Sequence, residues 1–317
     1  MTPSSTPRRS LVERWVFAAK PASWPKLLVP FVLGQAIGLD GGARPSLDAA
    51  LFGLAFTVLD LLFIVFLNDF GDREVDAIKR RMFPRSSAKT IPDGILSSRA
   101  LLLAGLLAGL GAIAVAFTAE RALDRPGLGV AGVIALAIFA AYSLPPLRLN
   151  YRGGGELLEV LGVGLALPWI SAYMQGGAWL APRGLALLPG FALLSLAGAI
   201  ASGLSDERSD RAGGKRTVVT AIGNERARRL IELASFAGAS AWALAGMLSE
   251  AIPLWLGVAP ALVAFGYAGG LFALSGGART DAFEAQRRYK AQLHRAMWRG
   301  ALVATMLLAW LHRVFAG

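Results

Sequence analysis

The stretch NDFGDREVD at residues 68–76 places an asparagine and three aspartates directly after a long apolar run. Asn68, Asp72 and Asp76 follow one another at intervals of four residues. If a helix continues through this stretch, the three side chains lie on nearly one stripe, because four residues complete little more than one helical turn. We therefore expect two carboxylates and an amide oxygen to face the same volume.

A second acidic stretch, SDERSDRAGGKRT at residues 205–217, repeats this arrangement, with Asp206 and Asp210 one helical turn apart. Four carboxylates in one cleft repel one another and raise their own pKa values unless cations lie between them. Magnesium prefers oxygen ligands and is commonly held by one or two carboxylates while it bridges to substrate phosphates. The two stretches together predict a shared Mg²⁺ site.

Basic residues are interleaved with these acids, and Arg and Lys bind phosphate oxygens directly. They are Arg73, Lys79, Arg80 and Lys89 around the first stretch, and Arg208, Arg211, Lys215 and Arg216 in the second. Carboxylates for a metal and cations for phosphate together predict a diphosphate ligand. The alternative is that both stretches are solvated, mixed-charge connections, but their matched spacing favours a common ligand.

The segment GGKRT in the second stretch does not meet the requirements of a nucleotide-binding phosphate loop. Such a loop has the pattern Gly-x-x-x-x-Gly-Lys-Ser/Thr. It needs a glycine five residues before the second glycine, and a serine or threonine directly after the lysine. Ser209 and Arg216 occupy these positions here, and no strand precedes them. We therefore set nucleotide hydrolysis aside.

The composition around these stretches is that of a membrane protein. The chain has 317 residues, of which 55% are hydrophobic and only 17% are charged, against roughly 25% charged residues in soluble domains. Mainly apolar stretches of about the length that a helix needs to cross a bilayer recur along the sequence. We predict nine helical spans, at 22–39, 47–67, 100–118, 127–145, 157–175, 184–204, 229–249, 251–274 and 296–316.

The distribution of charge predicts the orientation of these spans. All but five of the 32 lysine and arginine residues lie in or beside the N-terminal segment and the connections after spans 2, 4, 6 and 8. By the positive-inside rule, the N-terminus is cytoplasmic, the C-terminus is external, and both acidic stretches emerge at the cytoplasmic face. The net charge of +11 suits the anionic lipid surface of the cytoplasmic membrane. It does not indicate a nucleic-acid partner, because no soluble domain remains to carry a basic face.

These observations predict an all-α fold, a polytopic bundle of nine transmembrane helices with an active-site cleft on the cytoplasmic side. Residues 1–21 would be a cytosolic lead-in without a cleaved signal, and residues 22–317 would form a single domain. The sequence has no cysteine, which excludes disulfides, iron–sulfur clusters and zinc–thiolate sites. The oligomeric state stays open.

The two motifs resemble those of the UbiA-type intramembrane prenyltransferases. The family's N-x-x-x-D-x-x-x-D motif after the second span reads NDFGDREVD here, and its D-x-x-x-D motif after the sixth reads DERSD. The segments YSLPPLRL (142–149) and IPDGILS (91–97) also resemble family segments, and the likeness covers most of residues 20–316. This resemblance implies Mg²⁺-dependent transfer of a polyprenyl group from a polyprenyl diphosphate to an aromatic carbon.

The resemblance also implies roles for individual residues. The metal ligands would be Asn68, Asp72, Asp76, Asp206 and Asp210, and the four aspartates among them would act in catalysis. Substrate contacts are predicted at Asn68, Arg73, Lys79, Lys89, Tyr142, Arg148, Glu156, Lys215 and Arg216. Metal and cations would stabilise the negative charge that develops on the leaving diphosphate, while the apolar bundle would shelter the carbocation from water.

Different segments favour different acceptors. Residues 20–36, 150–162 and 210–223 are most similar to 1,4-dihydroxy-2-naphthoate polyprenyltransferases of menaquinone synthesis, whereas DREVDAIKRR (72–81) is closer to 4-hydroxybenzoate and chlorophyll-synthase types. We expect dihydroxynaphthoate, with hydroxybenzoate or another aromatic or lipid acceptor as the alternative. A transporter or a non-catalytic scaffold fits less well, because the acids cluster at the membrane rim instead of the midplane and both motifs are intact.

A few residues outside the motifs leave alternatives open. Asp60 lies inside the second span, where an ionisable group is costly and tends to face a cavity or a partner. It could belong to an acceptor pocket or a proton route, or be a neutral or paired structural carboxyl. Glu156 either lines the substrate pocket or pairs with Arg152. We interpret His294 as structural and Trp298 as an anchor at the membrane interface.

Overall fold

The computed structural model describes residues 9–39 and 43–316. Within these residues the chain forms helices and no β-strand, so the all-α prediction is confirmed. The helices are α1 (Leu11–Ala19), α2 (Pro25–Ile37), α3 (Leu47–Gly71), α4 (Arg73–Met82), α5 (Ser98–Ala122), α6 (Leu128–Ser143), α7 (Gly155–Glu159), α8 (Leu167–Gly176), α9 (Pro182–Ser202), α10 (Glu207–Ala212), α11 (Val218–Ile222), α12 (Asn224–Leu248), α13 (Leu254–Ser275) and α14 (Phe283–Ala316).

Each predicted span contains a helical segment within the described ranges. Six of these segments are long and apolar enough to cross a membrane, judged by length and composition: Leu47–Gly71, Ser98–Ala122, Gly155–Gly176, Pro182–Ser202, Asn224–Leu248 and Leu254–Ser275. In the first and fourth spans, α2 and α6 are apolar but shorter, with 13 and 16 residues. In the ninth, α14 has 34 residues and a charged first half. The count of nine membrane crossings therefore stays a prediction.

The segment Gly155–Gly176 changes its winding in the middle. Residues Val160–Ala166 form a π-helix between α7 and α8, in which the N–H of Leu167 donates to the carbonyl of Gly162, five residues earlier. Pro168 follows and has no N–H to continue the ordinary α-helical ladder. The wider π-helical turn accommodates the missing hydrogen bond. Gly162 and Val163, within this turn, lie in the wall of an internal cavity.

Both acidic stretches lie at the same end of the bundle. The path of α3 continues into α4 with a break at Asp72: its N–H donates to the carbonyl of Asn68, and its own carbonyl accepts from Asp76, each at 2.8 Å. The predicted stripe is thus largely preserved. Across from it, α10 carries the second stretch and packs against α4.

The contact between α9 and α12 depends on facing glycines and supplies a test of the packing. A Cβ atom at Gly238 would lie 2.8 Å from the carbonyl oxygen of Gly190, whereas one at Gly266 in α13 would contact nothing within 4 Å. We expect Gly238→Ala to lower the free energy of unfolding by about 1–3 kcal/mol, because the helices must move apart. The matched variant Gly266→Ala should cause no loss. Thermal unfolding in one detergent measures both, and equal midpoints would contradict the close contact.

Candidate active site

Asn68 and Asp72 line a cavity of about 130 Å³ at the end of α3. Asp72 is only 8% exposed. Its carboxylate accepts a hydrogen bond from Lys215 Nζ at 2.8 Å and a longer one from Asn150 Nδ2 at 3.5 Å. Because Lys215 belongs to the second acidic stretch, this ion pair joins the two stretches directly.

Asp206 and Asp210 line the same cavity from the opposite side. The N–H of Asp210 donates to the carbonyl of Asp206 at 2.7 Å, so the two stand one turn apart, as their spacing predicts. The carboxylate of Asp206 pairs with Lys79 of α4. The two stretches therefore meet through two crossed ion pairs, Lys215–Asp72 and Lys79–Asp206, in which each stretch supplies a lysine to the other's aspartate.

The electrostatics of this cavity show an excess of acid. Burial raises the pKa of Asp210 to about 7; Lys215 opposes this, while Asp206 and Asp72 reinforce it. Burial would also raise the pKa of Asp206, but Lys79 and Lys89 outweigh it and hold that pKa below its usual value. Within the described residues Asp210 has no ion pair of its own, so the cavity favours a further cation.

Asp76 and Lys89 lie beside the cavity and not in its wall. The two side chains form an ion pair at 2.5 Å. Burial raises the pKa of Asp76, although Lys89 opposes the shift. Burial would lower the pKa of Lys89, but Asp206 and Asp76 more than offset this and raise it. Asp76, the third predicted ligand of the first motif, is therefore near Asp72, with a lysine next to it.

Tyr142 and Glu156, both predicted to contact substrate, line the cavity. Glu156 Oε1 accepts the N–H of Val218 at 2.7 Å, which ties α7 to the start of α11. Within the described residues Glu156 forms no ion pair with Arg152. The structure therefore favours the other interpretation, in which Glu156 lines the pocket.

The predicted arginines lie outside the cavity wall. Arg148 Nη2 donates to the carbonyl of Gly71 at 2.5 Å, and its guanidinium lies 3.6 Å from the ring centroid of Tyr151. It thus fixes the end of α3 next to Asp72. Arg73 donates to the carbonyl of Phe70 at 2.8 Å, and Arg216 is exposed. Substrate contacts for these three residues stay predictions.

A second, mainly apolar cavity of about 420 Å³ adjoins the first. Both are lined by Asn68, Tyr142, Glu159 and Ser202, so they meet at the end of α3. The wall of the apolar cavity also includes residues of the N-terminal segment, α2 and α14 that the motif analysis missed: Lys20, Lys26, Lys290, His294 and Trp298.

The position of one of these residues, Trp298, changes the role that we assigned to it from the sequence. The rings of His294 and Trp298 stack with centroids 4.5 Å apart, in the cavity wall. The assignment of Trp298 as a membrane-interface anchor is therefore wrong. Their four-residue spacing on a long helix was the available signal, since it predicts a shared face. Asn150 was also missed, because a single amide after YSLPPLRL has no pattern of its own.

The donors at the polar cavity fit a magnesium ion. Among the described residues, no three His, Cys, Asp or Glu side chains form a cluster that could hold a metal alone. The side chains around the cavity are nevertheless oxygen donors, and Oδ1 of Asn150 is buried without a partner. Mg²⁺ needs only one or two carboxylates when water and substrate phosphates complete its shell.

Comparison with known proteins gives a family. The sequence model of the UbiA prenyltransferase family matches residues 27–293. The chloroplastic chlorophyll synthase of Arabidopsis thaliana is 28% identical over 213 residues, which cover 66% of this chain and 53% of that protein. The 1,4-dihydroxy-2-naphthoate octaprenyltransferase of Escherichia coli K12 is 27% identical over 225 residues, covering 69% of this chain and 72% of that protein. The chain thus spans about half the length of the first relative.

The fold also matches a solved structure. A UbiA homologue from Archaeoglobus fulgidus, solved with DMAPP and Mg²⁺, superposes with a TM-score of 0.66 and 19% sequence identity. The match covers 90% of this chain and 99% of the other. At this identity the likeness establishes the fold alone.

The buried ion pair between the stretches can be tested with pyrophosphate as the probe. We expect Lys215→Gln to weaken binding of Mg²⁺-pyrophosphate roughly tenfold or more, because a buried, charge-assisted contact is lost. The control Arg211→Gln removes a cation from the same stretch whose side chain is 61% exposed, and affinity should change less than about twofold. Titration calorimetry measures both variants. An equal loss in the two would assign the effect to net charge and not to the cavity.

Proposed function

The chain belongs to the UbiA prenyltransferase family, and from that premise we propose that it transfers a prenyl group from a prenyl diphosphate to an aromatic acceptor, with Mg²⁺ as cofactor. The observation that carries the proposal is the convergence of Asp72, Asp206 and Asp210 on one polar cavity that adjoins an apolar one. The A. fulgidus homologue, which was solved with DMAPP and Mg²⁺, supports the choice of ligand.

The polar cavity would hold the diphosphate. Asn68, Asp72, Asp206 and Asp210 would be the metal ligands, with Asp76 next to them. The metal, when bound, would supply positive charge against the diphosphate oxygens. Lys215 and Lys79 would exchange part of their contact with the aspartates for phosphate oxygens, which an ammonium group binds as a compact charge.

Bond cleavage would produce an allylic cation and a free diphosphate. The carbon–oxygen bond breaks and its electron pair leaves with the diphosphate, where the surrounding cations stabilise the added charge. An aromatic carbon of the acceptor then bonds to the cation, and the ring loses a proton. The reacting carbon would lie where the two cavities meet, close to Tyr142, whose ring stacks on Phe139 with centroids 5.5 Å apart. Aromatic faces stabilise a cation in a dry site.

Arg148 would act as a positioning residue in this scheme. It does not line either cavity, but its bond to the carbonyl of Gly71 fixes the backbone directly before Asp72. The stacked Tyr151 covers the guanidinium and lies near the same carbonyl, at 3.5 Å from its hydroxyl oxygen. The arrangement would keep the Asp72 carboxylate directed into the cavity when the metal binds.

For the acceptor we propose 1,4-dihydroxy-2-naphthoate, with 4-hydroxybenzoate as the alternative. The E. coli relative is named for the naphthoate, and this chain spans more of that relative than of the chlorophyll synthase. A cavity of about 420 Å³ is at the small end of ligand sites, which suits a compact aromatic ring system. We further propose that the protein lies in the cytoplasmic membrane with its N-terminus and polar cavity on the cytoplasmic side.

Substitution of the paired aspartates tests the proposed reaction. We expect Asp72→Asn and Asp206→Asn each to reduce Mg²⁺-dependent prenyl transfer at least about 100-fold, because each removes a metal ligand and leaves a lysine unpaired. The control Asp281→Asn removes a carboxylate at the same end of the protein that pairs with the exposed Arg208, and it should leave the rate within about twofold. Product formation in membranes is measured by mass spectrometry. Full activity in either cavity variant would refute the assignment.

A panel of acceptors tests the substrate. Membranes that contain the protein are incubated with Mg²⁺ and farnesyl or longer diphosphates, together with dihydroxynaphthoate or hydroxybenzoate. We expect a prenylated naphthalene product, identified by its mass, and little prenylated benzoate. The Asp72→Asn membranes are the matched blank. Transfer to hydroxybenzoate alone would replace the proposed acceptor with its alternative, and transfer to neither would argue against both.

A further inference from the structure

Asp60 is a buried acid that the proposed reaction does not use. It lies in the middle of α3 and is 7% exposed, in the wall of the apolar cavity. Its Oδ1 atom is buried and has no hydrogen-bond partner among the residues that the structure describes. An unpartnered carboxyl in apolar surroundings is costly. A ligand that donates a hydrogen bond to it would recover part of that cost.

The other acid in this cavity wall is already partnered. Glu159 pairs with Lys26 at 2.5 Å. Lys20, in the same wall, pairs with Asp69, and Lys290 contacts the hydroxyl of Ser202. These lysines lie at the end of α1, on α2 and on α14, and Glu159 lies on α7. Asp60 lies in the cavity wall on α3, and among the described residues it forms no ion pair. A partner for Asp60 would therefore come from the cavity's contents.

The chemistry of the reactants limits what that partner can be. Asp60 precedes Asn68 by two helical turns, roughly 12 Å along the axis, so it lies away from the proposed diphosphate site. A prenyl chain is a hydrocarbon and has no group that can donate a hydrogen bond. Among the described residues, no cluster of three His, Cys, Asp or Glu side chains could hold a metal here, and the phosphates that would complete the shell of a Mg²⁺ ion belong to the polar cavity. The acceptor is the reactant that can carry a donor.

We propose that Asp60 accepts a hydrogen bond from a hydroxyl group of the aromatic acceptor and so selects hydroxylated rings. This inference rests on the proposed function. The hydroxyl points toward Asp60, and the ring carbon next to it, which the hydroxyl activates for attack on a cation, lies toward the end of α3, where the allylic carbon forms. The lysines in the cavity wall attract a carboxylate on the acceptor, which therefore points away from Asp60. Asp60 is thus a specificity-determining residue that contacts substrate.

The test compares hydroxylated ligands with their methyl ethers. Binding of 1,4-dihydroxy-2-naphthoate and its dimethyl ether, and of 4-hydroxybenzoate and 4-methoxybenzoate, is measured by equilibrium dialysis with the purified protein in detergent. We expect the wild-type protein to bind at least one hydroxylated compound about tenfold or more tightly than its ether. Asp60→Leu should bring that ratio close to one, and Asp60→Asn, which keeps an acceptor oxygen, should retain part of it.

Thr57→Val is the matched control. Thr57 lies one turn before Asp60, is fully buried, and donates its hydroxyl to the carbonyl of Gly53. Its replacement should leave the binding ratio unchanged. Asp60→Leu removes an unpartnered polar group, so its thermal midpoint should be no lower than that of the wild type, which verifies that it folds.

Equal binding of both pairs by the wild type, or a ratio that survives in Asp60→Leu, overturns the role of Asp60. Failure of the proposed function has a different signature. In that case no prenyl diphosphate gives a product with any acceptor, while the dependence of binding on Asp60 persists.

Discussion

The main constraint on this structure is that several aspartates lie close together at the end of an apolar helix bundle and need positive charge beside them. Asp72 and Asp210 are buried and Asp206 is half-buried around a small cavity, where repulsion between like charges is poorly screened. The crossed ion pairs, Lys215–Asp72 and Lys79–Asp206, make this arrangement stable. They also hold α4 against α10, although the two stretches are far apart in sequence. Among the described residues Asp210 forms no ion pair, so the countercharge is incomplete and the cavity favours a further cation.

One helix, α3, runs from the apolar interior of the protein to its charged end. The same α3 carries Asn68 and Asp72 at the polar cavity and Asp60 two turns deeper, and α14 closes the apolar cavity with His294 and Trp298. The two cavities share part of their walls. A cation formed at their junction would be close to the charges that assist its formation and yet surrounded by side chains that exclude water.

Much of this arrangement could be predicted from the sequence. The hydropathy pattern indicated the helices, and the four-residue spacing indicated which acids share a face, because both follow from helix geometry alone. The pairing of the two stretches followed from the prediction that both lie on the same side of the membrane. Individual partners could not be predicted, since they depend on tertiary contact. Lys89 lies next to Asp76, Arg148 binds backbone instead of lining the cavity, and Asn150 contacts Asp72. Asp60 indicated a cavity, but most of the residues in its wall could not be named, because that wall combines single residues from distant helices.

The most direct test of the shared site is a crystal structure with Mn²⁺ and a prenyl thiodiphosphate that resists cleavage. Mn²⁺ can replace Mg²⁺ at oxygen ligands, and its anomalous signal locates the ion independently of the protein density. We predict manganese in the polar cavity, bound by carboxylates from both stretches and by the diphosphate, with the allylic carbon where the two cavities meet. Metal bound to one stretch alone, or a diphosphate outside the cavity with both crossed ion pairs unchanged, would contradict this prediction.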